Sequence, residues 1–419
     1  MFCEKQQARY YIGMPQDSNE RDHRRIGKEL DLFTFSDLVG SGLPLWTPRG
    51  TVVRRELDAY VWDLRKIQGF ERVTIPHITK RDLYEKSGHW EKFSDDLFRI
   101  ISREKREYAL KPMNCPHHTQ IFARKPMSYR EMPQRYAETT MVYRDEQSGE
   151  LGGLTRVLSI TQDDSHVFCR EAQIKEEFFK TWDIVDTFYK KFGFTLTVRL
   201  SFHDPKNLQK YLGTEAIWRE AEQALREIAK ERNADYFEAP GEAALYGPKL
   251  DFMATDSIGR EHQVATIQLD LNIPERFDLV CINEKGERER VAMIHSAIMG
   301  SIERFTAVLL EHLNGVLPLW LSPVQAKILP IGDKHKAFGQ EVLSQLKDAE
   351  IRAEIDDSNE TLGKKVRNAK TDKVPYLLVI GDEEVAAKTA TLEGRGGKLG
   401  ASPIADIISK LKEEISSRT

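Results

Sequence analysis

The sequence changes character at an apolar, proline-containing stretch, residues 317–323 (LPLWLSP), and this change constrains the fold most strongly. After it, strand-like and helix-like runs alternate up to a last helix that we expect to begin near Pro403. Such alternation is typical of a parallel or mixed sheet covered by helices. The sequence therefore predicts a large α+β domain in residues 1–319 and a small α/β domain in residues 320–419.

A long amphipathic helix is predicted between Pro48 and Gly69. Its apolar positions recur at helical spacing and are Val53, Leu57, Tyr60, Val61, Leu64 and Ile67. The segment after Gly69, ERVTIPHI, is predicted as a strand that contains Pro76. Because proline lacks a backbone donor, this strand is expected at an edge or an interface. Further helices are predicted over residues 171–192 and 215–232.

Composition excludes several classes of protein. The 62 basic and 66 acidic residues give a net charge of −4, which argues against attachment to nucleic acid by overall basicity. No window approaches the ~18 apolar residues of a membrane span, and the first 20 residues form a polar lead-in without a signal-peptide core. The four scattered cysteines, Cys3, Cys115, Cys169 and Cys281, are typical of reduced thiols. We therefore expect a cytoplasmic protein that does not enter a membrane.

Two strand-like runs around the turn SGELGG place charged residues among apolar ones. Arg144 and Glu146 are two residues apart and share a face of the first run. On the return run one face holds Arg156, Gln162, Asp164 and His166. Buried charges need partners, and a polyanionic ligand would provide them. A solvent-exposed strand face would give the same pattern, so the residues alone leave both interpretations open.

Other candidate residues carry weaker signals. Gly300 lies where a buried strand passes into a helix and would allow close approach of a flat ligand. For Arg304, in the first turns of that helix, an ion pair of a surface arginine with Glu303 or Glu311 is the simpler explanation from the residues alone. The spacing of cysteine and histidine residues gives no signal of a zinc site.

Seven segments, in this order, resemble those of the threonyl-tRNA synthetase family of class II aminoacyl-tRNA synthetases. They are KPMNCP, YRDEQSGE with LTR, TQDDSHVF, LYGPKLDF, TIQLDLNIP, GSIERF and VPYLLVIGD. The resemblance starts near His23 and implies an antiparallel sheet flanked by helices, followed by an α/β anticodon-binding domain. Nothing here matches the family's N-terminal editing module. We therefore expect serine mischarging unless another protein corrects it.

The resemblance implies ATP-dependent activation of L-threonine to threonyl-adenylate, followed by transfer to the 3′-terminal adenosine of tRNA(Thr). It assigns ATP binding to Arg144, Glu146, Arg156, Gln268 and Arg304, with Mg²⁺ accompanying ATP. Arg144 would hold the α-phosphate and the threonine carboxylate, while Arg156 and Arg304 would bind the triphosphate and Glu146 the adenine. His89 matches a histidine implicated in the transfer step. A hydrogen-bonded surface histidine is the simpler alternative for His89.

The family's zinc ligands match Cys115, His166 and His295, which implies one Zn²⁺ per subunit. Three protein ligands leave open positions, and the family uses them for the threonine amino and hydroxyl groups. An apolar pocket separates threonine from its isostere valine only ~10²-fold, whereas a metal that requires a hydroxyl ligand discriminates further. Asp164 would accept a hydrogen bond from the hydroxyl. The other positions of the threonine pocket match Gln162, Tyr246, Lys249 and Gln263.

The resemblance also implies partners and RNA contacts. The helix before Pro76, together with its strand, matches the family's dimer interface, so a homodimer is expected. Anticodon-binding positions match Asn359, Arg367, Lys373 and Glu384. An arginine usual after the hairpin strand is replaced by Leu392-Glu393. A basic face on one helix is expected instead from Lys364, Lys365 and Lys370.

Several departures from the family pattern cluster near the inferred pocket. They are His117 for a glycine, Gly152 for a histidine, Leu158 for an arginine, Ser159-Ile160 for Gly-Phe and Ser296 for an arginine. Neutral drift is one interpretation. A reshaped pocket is another, either in an inhibitor-resistant enzyme or in a paralogue that activates an amino acid without charging tRNA. A non-catalytic RNA-binding regulator has no need of the retained arginines and metal ligands together.

Overall fold

The computed structural model describes residues 21–418, so the polar lead-in and Cys3 lie outside the described residues. The chain divides into two compact units. One contains residues 35–44 and 58–308, and the other contains residues 21–34, 45–57 and 309–418. The predicted domain boundary between residues 319 and 320 stays a prediction.

The α-helices follow in chain order. They are α1 (His23–Glu29), α2 (Pro48–Ile67), α3 (Arg81–Ser87), α4 (His89–Lys92), α5 (Cys115–Phe122), α6 (Ile174–Phe192), α7 (Glu215–Glu231), α8 (Asn272–Arg276), α9 (Ile302–His312), α10 (Lys336–Asp348), α11 (Leu362–Thr371), α12 (Asp382–Ala387) and α13 (Ile404–Ser417). The predicted α2 is confirmed, and the chain turns after it at Gly69, which has a φ of 78°.

The strands also follow in chain order. They are β1 (Phe33–Thr34), β2 (Leu45–Trp46), β3 (Glu71–Arg72), β4 (Ile78–Lys80), β5 (Arg99–Ile101), β6 (Glu107–Leu110), β7 (Met127–Ser128), β8 (Gln134–Tyr143), β9 (Ser159–Cys169), β10 (Thr195–Phe202), β11 (Tyr236–Pro240), β12 (Lys249–Thr255), β13 (Glu261–Asp270), β14 (Val280–Ile282), β15 (Arg288–Arg290), β16 (Ala292–Ala297), β17 (Ala326–Pro330), β18 (Ala353–Ile355), β19 (Tyr376–Ile380), β20 (Thr389–Gly394) and β21 (Gly397–Pro403).

An eight-stranded sheet forms the centre of the larger unit. Its strand order is β11-β10-β12-β13-β16-β9-β8-β3, and the strands are antiparallel except at the two edges, where β11 and β3 pair in parallel. α6 and α7 cover the sheet. In α6 the apolar stripe Phe178, Trp182, Val185 and Tyr189 is buried, with Trp182 meeting Phe252 of β12 edge to face. This confirms the predicted antiparallel sheet flanked by helices.

Two local predictions near this sheet were wrong. Pro76 does not lie in a strand, because β3 ends at Arg72 and a proline cannot donate to the ladder. Arg144 and Glu146 do not lie on the first strand of the hairpin, since β8 ends at Tyr143. They lie in the connection, and so does Arg156, which was predicted on the return strand, because β9 begins only at Ser159.

The second sheet has the order β18-β17-β19-β20-β21. β17, β18 and β19 are parallel and the β20–β21 hairpin is antiparallel, which confirms a small domain of alternating strands and helices. Apolar residues of β17, α10, β19 and α13 form its core, including Ile328, Val342, Leu378 and Leu411. Between residues 21 and 418, no helix has the length and apolar character needed to cross a bilayer.

Candidate active site

A cavity of about 940 Å³ lies in the larger unit. Its wall is formed by β9, β12, β13 and β16, the start of α9 and the connection between β8 and β9. The sequence-predicted residues that line it are Cys115, Arg144, Glu146, Arg156, Gln162, Asp164, His166, Tyr246, Lys249, Gln263, Gln268, His295 and Arg304. The sheet therefore brings together residues that are far apart in the chain.

The thiol and two imidazoles predicted as metal ligands converge at one wall of the cavity. His166 on β9 lies directly opposite His295 on β16, with ring centroids 4.7 Å apart. Cys115 begins α5 and is 2% exposed. The ligand atoms of these three residues lie within 4.8 Å of one another.

Two neighbours fix which ring nitrogen of each histidine faces the cluster. Nε2 of His295 lies 2.9 Å from a carboxylate oxygen of Asp270 and donates its proton there, which leaves Nδ1 as the lone-pair nitrogen. Nδ1 of His166 lies 2.7 Å from Nδ1 of His118, so Nε2 of His166 is free to be a ligand when Nδ1 carries the proton. A thiol, two oriented imidazoles and outer hydrogen-bond partners are the donor set of a zinc site.

Burial and the nearby carboxylates raise the pKa of the Cys115 thiol well above its usual value. The side chains in the cluster therefore do not supply the positive charge that a thiolate requires, and a bound divalent cation would supply it. Burial also raises the pKa of Asp164 to about 6. Asn114 donates to a carboxylate oxygen of Asp164 at 3.1 Å and so orients it. The residues present thus fit a zinc ion.

The arginines line another part of the cavity. The guanidinium carbon of Arg144 lies 5.9 Å from the centre of the Phe93 ring, and its buried Nε has no hydrogen-bond partner within residues 21–418. Arg156 is half exposed and pairs with Glu146 at 2.7 Å and with Glu150 at 2.9 Å. Arg144 thus offers a donor that is ready for an anion, whereas Arg156 is engaged by carboxylates.

A buried carboxylate that was not predicted from the sequence holds polar side chains of β10, β12 and β13 together. Asp251, on β12, accepts hydrogen bonds from Arg199 at 3.0 Å and Gln263 at 3.0 Å and pairs with Lys249 at 3.1 Å. It lies two residues after Lys249 on the same strand face, so the alternation of the strand was a signal that could have found it. Asp251 carries one negative charge beside two cations, Arg199 and Lys249, so this group of three side chains has a net positive charge.

His89 does not line the cavity. Its ring is fully buried, 6.2 Å from the Tyr246 ring, and burial together with the charge of His295 lowers the pKa of His89 to about 3. Nδ1 of His89 lies 2.8 Å from Oγ of Ser87, whose hydroxyl donates to the backbone oxygen of Tyr84. His89 therefore donates from Nδ1 and keeps the lone pair on Nε2.

The departures from the family pattern occupy different places. Ser296 and Ile160 line the cavity. His117 is buried beside Tyr84, with ring centroids 6.2 Å apart, and does not line the cavity. Leu158 accepts a backbone hydrogen bond from Arg144. The change at Ser296 is therefore placed to alter the pocket, whereas His117 lies behind the pocket wall.

The four residues predicted to bind the anticodon lie in the second unit. Asn359 and Arg367 are exposed, whereas Lys373 donates to the backbone oxygen of Asn314. Glu384 accepts hydrogen bonds from the Gly381 N–H and the Thr391 hydroxyl.

The predicted basic face of α11 is wrong in one residue. Lys365 is 1% exposed and donates to the backbone oxygens of Pro330 and Asp356, each at 3.0 Å. Lys364 and Lys370 are exposed, and Lys370 pairs with Glu393 at 2.6 Å.

Comparison with known protein families matches both parts of the chain. Residues 98–313 match the tRNA synthetase class II core domain (G, H, P, S and T), and residues 325–414 match the anticodon binding domain. The chain is 44% identical to the threonine–tRNA ligase of Gloeobacter violaceus over 99% of this chain and 68% of that protein. It is 45% identical to that of Deinococcus radiodurans over 95% of this chain and 61% of that protein.

Solved structures show the same relationship. The RNA binding domain of threonyl-tRNA synthetase from Cryptosporidium parvum superposes with a TM-score of 0.89 at 38% identity, covering 94% of this chain and 98% of that one. Putative threonyl-tRNA synthetase ThrRS-1 from Aeropyrum pernix gives a TM-score of 0.83 at 29% identity, covering 94% and 96%. The chain therefore belongs to the threonine–tRNA ligase family of class II aminoacyl-tRNA synthetases.

Proposed function

We propose that the cavity activates L-threonine with ATP and transfers the threonyl group to tRNA(Thr). One observation carries this proposal beyond family membership. The ligand atoms of Cys115, His166 and His295 meet within 4.8 Å in the same cavity that holds Arg144 and Arg304. An amino-acid-selecting cluster and a phosphate-binding cluster thus share one space, as adenylate formation requires.

Adenylate formation joins a carboxylate oxygen to the α-phosphorus and releases pyrophosphate. Arg144 binds both reacting groups. Among residues 21–418 its buried Nε has no hydrogen-bond partner, and a fixed cation there stabilises the charge of the transition state. Arg304 binds the departing phosphates, and Mg²⁺ accompanies ATP. Catalysis by these residues is positioning and electrostatics rather than covalent chemistry.

Binding of ATP requires a change of partners at the cavity mouth. Arg156 pairs with Glu146 and Glu150 in the ligand-free protein. Exposed pairs of this kind contribute only ~0–1 kcal/mol, so a triphosphate readily displaces the carboxylates from Arg156. Glu146 is then released to meet the adenine, and Gln268 completes the ATP site.

Threonine is selected by the cluster and its neighbours. Cys115, His166 and His295 would hold Zn²⁺, one per subunit. When bound, Zn²⁺ would supply a Lewis acid that favours an amino acid with a side-chain hydroxyl over valine. Asp164 accepts a hydrogen bond from the hydroxyl. The remaining contacts to threonine come from Gln162, Tyr246, Lys249 and Gln263.

The transfer step and the partners complete the proposal. His89 promotes attack by the adenosine hydroxyl, although its ring must first become accessible from behind Tyr246. Two chains associate through α2 and the segment that follows it, and the enzyme works in the cytoplasm. The anticodon contacts are made by Asn359, Arg367, Lys373 and Glu384.

ATP–pyrophosphate exchange, measured with a panel of amino acids on zinc-replete protein, tests the activation step. We expect exchange with threonine, weaker exchange with serine and none with valine. Charging of tRNA(Thr) with radiolabelled threonine then tests transfer. Exchange without charging would favour a paralogue that does not use tRNA, and the absence of any exchange would favour a non-catalytic RNA-binding protein.

A further inference from the structure

Strand β9 extends beyond its neighbour β16, and within residues 21–418 no other strand pairs with this part of its edge. Asp164 is the last residue of β9 that pairs with β16, where it lies opposite Ala297. The next residues of β9 toward its start, 159–163, therefore need other acceptors for the backbone donors on that side. Thr161 finds its acceptor in a side chain of α9, not in a strand.

That acceptor is Glu303, which is 1% exposed. One carboxylate oxygen accepts the backbone N–H of Thr161 at 2.8 Å, and the other accepts the Thr161 hydroxyl at 2.8 Å. Ser301 donates to the same carboxylate at 3.0 Å. The position of Glu303 in the first turn of α9 also favours a negative charge there. The start of α9 is thus fastened to β9 by several hydrogen bonds.

A second carboxylate fastens the turn that precedes α9. Asp163 accepts the backbone N–H groups of Ile298 and Met299 at 2.8 and 3.0 Å. Arg65 of α2 donates to the backbone oxygen of Asp163 at 2.5 Å and balances its charge. Asp163 and Glu303 therefore hold the turn between β16 and α9 from both ends.

The turn itself has little freedom to move. Gly300 has a φ of 75°, and a Cβ there would lie 2.9 Å from the backbone oxygen of Val264. Ser301 accepts the backbone N–H of Arg304 at 3.2 Å. Arg304 directly follows Glu303, so the hydrogen bonds that anchor Glu303 also hold the backbone of Arg304 in place.

We propose that Glu303 is a positioning residue for ATP binding, which acts by holding Arg304 at the phosphate end of the cavity. The two faces of β9 have different roles. Gln162, Asp164 and His166 line the cavity, while Thr161 and Asp163 fasten the segment that carries the arginine. This inference rests on the proposed role of Arg304 in binding ATP.

A double-mutant cycle tests the inference. In Glu303→Gln the amide nitrogen cannot accept a hydrogen bond, so one anchor of α9 is lost at unchanged size. We expect the ATP kcat/KM in pyrophosphate exchange to fall about 10²-fold, as for a 1 Å misplacement of a binding group, with the threonine KM and the zinc content unchanged. We expect Arg304→Ala to be equally impaired and the double variant to be no worse than Arg304→Ala alone.

Glu222→Gln is the matched control. Glu222 is likewise a buried carboxylate that accepts a backbone N–H and a side-chain donor, both from His203. In the part of the chain that the structure describes, it has no hydrogen bond to a residue that lines the cavity, whereas Glu303 accepts one from Ser301. We expect normal exchange kinetics for it. Glu303→Asp, which keeps two acceptor oxygens, should recover part of the loss in kcat/KM.

Four results separate the possible failures. Additive losses in the double variant would show that Glu303 does not act through Arg304, and an unchanged ATP kcat/KM in Glu303→Gln would also overturn the inference. If the unmodified protein exchanges with no amino acid, the proposed function itself fails. A rise in the threonine KM or a loss of zinc content, together with the loss in ATP kcat/KM, would overturn the inference in favour of a general structural role.

Discussion

Cys115 is the residue whose replacement tests the metal site most directly. Cys115→Ala removes the thiol and leaves two imidazoles, which is too few for a stable zinc site. We expect the zinc content, measured by elemental analysis of purified protein, to fall from one ion per chain to nearly none. Cys169→Ala is the control, because Cys169 is equally buried, on β9, and belongs to no candidate ligand cluster in residues 21–418. A Cys115→Ala protein that keeps its zinc would disprove the assignment.

His118 offers a finer test of the same site. Its Nδ1 lies 2.7 Å from Nδ1 of His166, and outer-shell partners of this kind typically contribute 10–100-fold to metal affinity. We therefore expect His118→Leu to bind zinc 10–100-fold more weakly in competition with a chromophoric chelator. His117→Gly restores the usual family residue next to it and should leave both zinc affinity and threonine KM unchanged. A shifted threonine KM in His117→Gly would instead support a reshaped pocket.

At the level of elements, the buried Arg65–Asp163 contact joins α2, β9 and the turn before α9. Arg65 is 2% exposed and Asp163 is fully buried. Removing one partner of a buried ion pair leaves an uncompensated charge, which costs about 3–5 kcal/mol. We expect Arg65→Met to lower the free energy of unfolding of the larger unit by this amount, measured by urea titration of tryptophan fluorescence.

Arg81 provides the comparison for this prediction. Arg81 pairs with Glu85 and Glu107, and all three of these side chains are exposed. Solvent-exposed pairs of this kind contribute little to stability, so Arg81→Met should be nearly neutral. Equal destabilisation by both substitutions would show that burial of the Arg65 pair is not what makes it important.

Patterns within one element predicted structure well, and pairings between elements were not predictable from residue patterns. The apolar spacing of α2 and the polar face of β9 were visible because both are periodic along the chain. Asp163 and Asp164 are adjacent and chemically identical, and strand alternation sends them to opposite faces. Which of the two faces the cavity follows only from the pairing of β9 with β8 and β16, because β16 is distant in sequence.

The metal cluster and the anchoring carboxylates illustrate the same limit. The spacing of Cys115, His166 and His295 carries no metal signal, and these three were named only through family resemblance. From the sequence, Glu303 was considered only as an ion-pair partner for Arg304. Its hydrogen bond to Thr161 could not be predicted, because it depends on where the pairing of β16 with β9 ends. The connection between β8 and β9 was predicted as strand because its charged residues alternate, yet their side chains pair across a loop.

At the scale of the whole molecule, a buried neutral histidine makes the fold sensitive to acid. The pKa of His89 is lowered to about 3, whereas an unfolded histidine has a pKa of about 6.5. Between these values the unfolded chain binds a proton that the folded chain does not. Stability therefore falls as the pH drops below about 6.5, by up to ~1.4 kcal/mol per pH unit from this residue.

His89→Asn tests this linkage. Between pH 6 and 4, the free energy of unfolding of the variant should fall less steeply with falling pH than that of the unmodified chain, whatever the effect of the substitution at pH 7. The two slopes should differ by the uptake of about one proton on unfolding. Urea midpoints at matched pH values give the two slopes. Parallel slopes would show that His89 already carries its proton in the folded protein.

The pairing of His166 with His295 has a consequence for how a newly made chain matures. The two imidazoles are cross-strand neighbours in a single register of β9 and β16. A slip of one residue would turn one ring to the far side of the sheet. Zinc binding as proposed would therefore wait until ribosomal synthesis has passed residue 295 and β9 has paired with β16. Zinc content would then report that these central strands have assembled in the correct register.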